Sequence, residues 1–112
     1  MKRAHLGELE ELALLMVGIL HPDAYGVAVM DELERQAGRS LNISAIHAVL
    51  TRLEEKGYLK SKMGEPVEER GGRRKRIFQL TAAGKRALEE ANELRTQLFN
   101  QIPRIALQFS SI

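Results

Sequence analysis

A chain of 112 residues, 44% hydrophobic and 29% charged, has the make-up of one soluble globular domain. It is large enough for a core, yet small enough that dimerisation would add to its stability. Having no cysteine, it excludes disulfides, thiolate catalysis and cysteine-based zinc sites, while a net charge of +2 does not by itself announce a nucleic-acid partner.

Leu6 to Leu20 reads as a first helix, acidic at Glu8, Glu10 and Glu11 and apolar almost all round after Leu12. Such a helix is buried on more than one side, either within its own domain or against a partner chain. Its apolar run from Leu12 to Leu20 is shorter than the ~20 residues of a membrane span. Acids precede that run and His21-Pro22-Asp23 follows it, which does not fit a signal peptide, so a cytoplasmic chain is expected. Pro22-Asp23 predicts a turn, and Tyr25 to about Gln36 a second helix with a core stripe of Val27, Met30, Leu33 and Ala37, ended by Gly38. Arg39-Ser40-Leu41 is a short extended link.

Asn42 to Gly57 is the stretch the rest is organised around. Ile43, Ile46, Val49, Leu50 and Leu53 fall on one side of a helix; Ser44, His47, Ala48, Thr51 and Glu55 fall on the other. Asn42 is a good N-cap and Gly57 a good terminator. The outer face carries small groups, hydroxyls and one imidazole where a surface helix usually has long charged chains, so its backbone can come close to a partner. Tyr58 to Met63 then alternates like a strand with one wet face, Gly64 to Gly72 reads as a loop, and Arg73 to Leu80 as a second strand. The resulting hairpin is longer than a tight turn requires, and its tip should project. Thr81 caps a long last helix with an apolar line of Leu88, Ala91, Leu94, Leu98, Ile102 and Ile105, which Pro103 must kink or break. The tail beyond it is too apolar to be a free end. The order α-α-α-β-β-α leaves no room for a parallel sheet.

Between Lys60 and Arg76 lie seven cations (Lys60, Lys62, Arg70, Arg73, Arg74, Lys75, Arg76) and three anions (Glu65, Glu68, Glu69), a surplus of four that exceeds the charge of the whole chain. The remainder is slightly acidic, so the field points from the hairpin. A basic hairpin beside a short-faced helix forms a pair fitted to a groove and its phosphates, with Ser44, Ala45, His47, Ala48, Thr51, Arg52, Lys62, Arg70, Arg73, Arg74, Lys75 and Arg76 as the candidate contacts. The other reading of the hairpin is a solvated one, salt-bridged through Glu68 and Glu69. His47 can meet a phosphate or base, bond within the fold, or ligate a metal, although His5 and His21 lie in separate segments and no Asp or Glu stands at ligand spacing beside any of the three. Ala48 and Thr51 suit thymine methyls or phosphates, or a neutral surface. Arg52 can reach a phosphate or pair with Glu55.

No glycine-rich phosphate loop, metalloprotease or nucleophile-elbow motif is present, and neighbouring acids such as Glu10-Glu11 or Glu54-Glu55 diverge by about 100° on a helix, so an enzyme is not expected. No cofactor or metal site is expected either. The apolar lines on the first and last helices predict a dimer built from Leu9, Leu12, Met16, Leu88, Ala91, Leu94, Leu98, Ile102 and Ile105.

Ala24-Tyr25-Gly26-Val27, the run from Ile46 to Leu59, Arg70 to Arg76 and Leu80-Thr81-Ala82-Ala83-Gly84, in this order and spacing, resemble the PadR-like family of bacterial winged-helix transcriptional regulators, in its short form with a single C-terminal helix. The resemblance spans Leu6 to about Leu98. It implies a mainly α winged helix-turn-helix over residues 1–80, a dimerisation helix and apolar tail over 81–112, and a homodimer that binds pseudo-palindromic promoter DNA and usually represses. Many members carry Tyr and Pro where this chain has His47 and Ala48. Some short members hold flat apolar ligands with Trp; this chain has no Trp, so a small apolar effector has no assigned site. A winged helix used as a protein-interaction module is the competing function. RNA binding is weaker, because only Tyr58 and Phe78 could stack on bases.

Overall fold

The structure, a computed structural model, describes residues 6–66 and 74–108. Its elements are α1 (Glu8–Leu20), α2 (Gly26–Ala37), α3 (Ile43–Glu55), the strands β1 (Leu59–Pro66) and β2 (Arg74–Leu80), α4 (Ala82–Phe99), and a 3₁₀ turn at Arg104–Leu107. This is a winged helix, mostly helical, with a two-stranded antiparallel sheet.

Each helix contributes one apolar side to a shared core. Leu14 and Val17 of α1, Val29 and Leu33 of α2, Ile46, Val49, Leu50 and Leu53 of α3, and Leu59 and Phe78 of the strands are all buried in it. Burying a Leu or Phe side chain stabilises by roughly 1.5–3 kcal/mol, so this cluster fixes how α3 sits. On α2 the stripe is turned from the expected one, with Val29 buried and Ala37 exposed. Gly38 ends that helix at φ +64°, its N–H donating to Glu34 O.

The sheet pairs Leu59 with Leu80, Ser61 with Phe78 and Met63 with Arg76, and a register shift then brings Pro66 opposite Arg74. The expected loop from Gly64 therefore starts later, since β1 continues through Pro66. Gly64 lets it continue: a Cβ there would lie 2.8 Å from Ile77 Cδ1. The link before α2 also joins β2, through a bridge between Tyr25 and Ile77 and a 2.8 Å bond from Phe78 N–H to Ala24 O. Residues 67–73, which hold the expected hairpin tip, lie outside the described residues.

Thr81 caps α4, its Oγ1 accepting from Gly84 N–H at 3.0 Å and donating to Gly57 O at 2.6 Å. The helix stops at Phe99, short of Pro103, so the apolar line expected to run through Ile102 and Ile105 is split between α4 and the 3₁₀ turn. Pro disfavours helix at the residue before it and has no N–H to continue one.

Candidate nucleic-acid interface

The third helix is held at both ends. Asn42 Oδ1 accepts from Ala45 N–H at 2.8 Å, and Gly57 follows the last turn at φ +83°. Lys56, its C-cap, donates to Glu10 of α1 at 2.6 Å. Glu10 is only 7% exposed and also accepts from Gly7 N–H at 2.9 Å. Burial pushes its carboxyl up, but the Lys56 hydrogen bond, the Gly7 amide and the charges of Lys56 and Arg52 together outweigh that, leaving it below the usual carboxylate range.

With one side in the core, α3 presents Ser44, His47, Ala48, Thr51 and Arg52 as exposed residues, and Ala45 is half-buried. The His47 ring lies against the first turn of α2, where a Cβ added to Gly26 would stand 2.8 Å from Cε1 and 3.1 Å from Nε2. The imidazole therefore rests on the start of α2 while remaining open to solvent. Among the described residues no group of three or more His, Asp or Glu could hold a metal ion.

The hairpin's cations divide. Lys60 and Lys62 are exposed on β1. Arg76 turns back to the body: Nη2 donates to Glu54 Oε1 at 3.0 Å and Nε to Ser61 Oγ at 2.9 Å, while the Ser61 hydroxyl donates to Glu54 Oε2 at 2.7 Å. Lys75 places its ammonium 4.0 Å from the centre of the Tyr25 ring. Strand alternation leads two of Arg73 to Arg76 to be expected on the phosphates and the others toward the body, and Lys75 and Arg76 both have partners within the chain. Alternation along a strand places neighbours on opposite faces, but only the fold shows that each face meets a partner. Arg74 opens β2, and Arg70 and Arg73 lie outside the described residues.

Of the residues expected at a dimer contact, Leu9, Leu12, Leu88 and Ala91 are half-buried, and the three leucines pack on the chain's own core. Met16, at 5% exposure, is part of that core. Leu94, Leu98, Ile102 and Ile105 are exposed. So are Leu15, Ile19, Phe99 and Leu107, which the sequence reading did not single out for this surface.

Residues 14–90 match the sequence profile of the transcriptional regulator PadR-like family. No curated protein matched the sequence. Among solved structures, a PadR-like transcription factor from Bacteroides fragilis superposes with a TM-score of 0.69 at 22% identity, over 82% of this chain and 84% of that one. A PadR family regulator from Eggerthella lenta gives 0.66 at 24% identity, over 92% and 88%. A PadR-like regulator from Bacillus cereus gives 0.70 at 17% identity, over 89% and 91%.

Proposed function

The chain belongs to the PadR-like family of transcriptional regulators, and on that footing we propose that it is a homodimeric repressor of pseudo-palindromic promoter DNA. In this reading α3 enters the major groove, with Ser44, Ala45, His47, Ala48, Thr51 and Arg52 facing the duplex. Lys62, Arg70, Arg73 and Arg74 of the wing follow the phosphates. Residues 1–80 bind DNA, and 81–112 join the two copies through the exposed side chains of α4 and the 3₁₀ turn. A twofold dimer would set its two recognition helices about one DNA turn apart, ~34 Å. No described helix is long and apolar enough to cross a membrane, and the cytoplasm is the setting that suits a promoter-binding protein.

The observation that carries this reading is α3 itself. Its inner side is fully committed to the core, while its outer side is exposed and short-chained beside the hairpin that concentrates the chain's positive charge. The test is selection of a duplex from a randomised pool. His47→Ala and Thr51→Ala should lower the preference for the selected duplex more than the affinity for a random one. Equal losses on both would count against base contact by α3.

One observation favours a second reading: Lys75 and Arg76 already have partners inside the chain. A winged helix that binds another protein would form a clean dimer, show no duplex affinity at low salt and retain a protein partner.

A further inference from the structure

Glu54, Ser61 and Arg76 come from three different elements, α3, β1 and β2, and their side chains close a ring of three hydrogen bonds of 2.7, 2.9 and 3.0 Å. The Arg76 guanidinium carbon also lies 5.8 Å from the centre of the Phe78 ring. That ring of bonds sits where the hairpin leaves the body. On its inner side Leu59 and Phe78 are buried; on its outer side Lys62, Met63 and Glu65 are exposed. On the other side of β2 the Lys75–Tyr25 contact and the Tyr25–Ile77 bridge also tie the hairpin to the body.

We infer that Glu54 is a positioning residue of the interface: through Ser61 and Arg76 it sets the direction in which the wing leaves α3, and Arg76 is a fastener of the wing and not a phosphate ligand. The inference rests on the DNA-binding reading above. A guanidinium has a fixed fork of donors, and here Nη2 and Nε are directed at one carboxylate and the hydroxyl that the same carboxylate also holds. A phosphate that drew Nε or Nη2 away from these partners would loosen the link between α3 and the wing. Fixing the wing at its root costs one cation's worth of phosphate attraction and secures the register in which groove and backbone contacts are made together. Charge-assisted bonds of this kind are stronger than neutral ones, which suits a joint that lies partly in solvent.

The chain lacks cysteine, so Asp31→Cys and Glu65→Cys place spin labels on α2 and on the outer part of β1 and nowhere else. The labelled chain is diluted into an excess of unlabelled, cysteine-free chain, so that one subunit of a dimer carries both labels. Their distance distribution should be single and narrow in the parent and clearly broader in Glu54→Ala and in Arg76→Ala, with the double change no broader than either alone. On DNA, Glu54→Ala should weaken binding to a duplex selected on the parent about tenfold, and leave a random 30-bp duplex within about twofold. The salt dependence of random-duplex binding should be the same for Arg76→Ala as for the parent. A loss of about 0.9 in that slope on Arg76→Ala would make Arg76 a phosphate ligand and overturn the inference. So would label distances in Glu54→Ala as narrow as in the parent. Failure of the DNA-binding reading looks different, since the parent protein would then shift no duplex at any salt concentration.

Discussion

The imidazole of His47 occupies the space a side chain at Gly26 would need: a Cβ there would be 2.8 Å from His47 Cε1 and 3.3 Å from Ile43 Cδ1. Gly26 opens α2 without a positive φ, so it is the room, not the backbone, that the residue supplies. His47 is exposed and can swing away, which makes the steric cost small and its functional consequence large. Gly26→Ala should change stability by less than about 1 kcal/mol. It should nonetheless lower the preference for a selected over a random duplex, by about as much as His47→Ala, and the double change should add nothing further. Competition binding measures both terms.

Gly84 presents the opposite case. A Cβ there would be 2.1 Å from the carbonyl oxygen of Tyr58, a backbone atom that also accepts from Thr81 N–H at 3.1 Å. Nothing flexible can yield, so either α4 or the start of β1 has to move. Gly84→Ala should destabilise by about 3 kcal/mol, near the upper end of overpacking costs, and lower Tm by roughly 10–20 °C. Thr81→Ala, which removes the cap and the hydroxyl's bond to Gly57 O, should cost about 1–2 kcal/mol. Thermal denaturation followed by circular dichroism ranks the two.

The Glu10–Lys56 pair makes stability depend on pH. Glu10 has a folded-state pKa below its unfolded value near 4.5, so its stabilisation is fully present above that value and is lost as pH falls through the folded one. Glu10→Gln should cost about 1–3 kcal/mol at neutral pH, the range for a buried hydrogen bond to a charged group. The gap between parent and variant should close as the acid limb is descended below about pH 4.5. Denaturant midpoints measured across that range test the sign: a gap that widens toward acid would contradict it.

These relationships also mark what the sequence could and could not disclose. The third helix was legible because its signals are local: Asn42 caps it, Gly57 follows it at positive φ, and Ile46, Val49, Leu50 and Leu53 recur at helical spacing. The extent of β1 was not, because Gly64 and Pro66 ordinarily end a strand, whereas here Gly64 lies under Ile77 and Pro66 sits past a register shift. The bonds of Arg76 were hidden for a different reason. Its partners Glu54 and Ser61 lie 22 and 15 residues away, and only the folded hairpin brings them within reach. Met16 was ambiguous because an apolar run on α1 does not say which of its sides faces its own core.

The exposed apolar side chains of α4 yield a prediction about assembly. Leu98 is 54% exposed in the single chain, and Leu94 37%. Leu94→Glu with Leu98→Glu should therefore leave the fold and its Tm largely intact while disrupting a dimer built on that face. Sedimentation equilibrium should give the parent roughly twice 12.6 kDa and the double variant the mass of one chain. An unchanged dimer would move the contact elsewhere.

The most direct test of the central claim is the affinity of the protein for a 30-bp duplex as a function of salt. If the hairpin follows phosphates beside α3, the logarithm of affinity falls linearly with the logarithm of salt, by about 0.9 per phosphate neutralised, and Arg73→Ala with Arg74→Ala flattens that slope by about two such steps. Binding indifferent to salt, or a slope untouched by losing both arginines, would contradict the account.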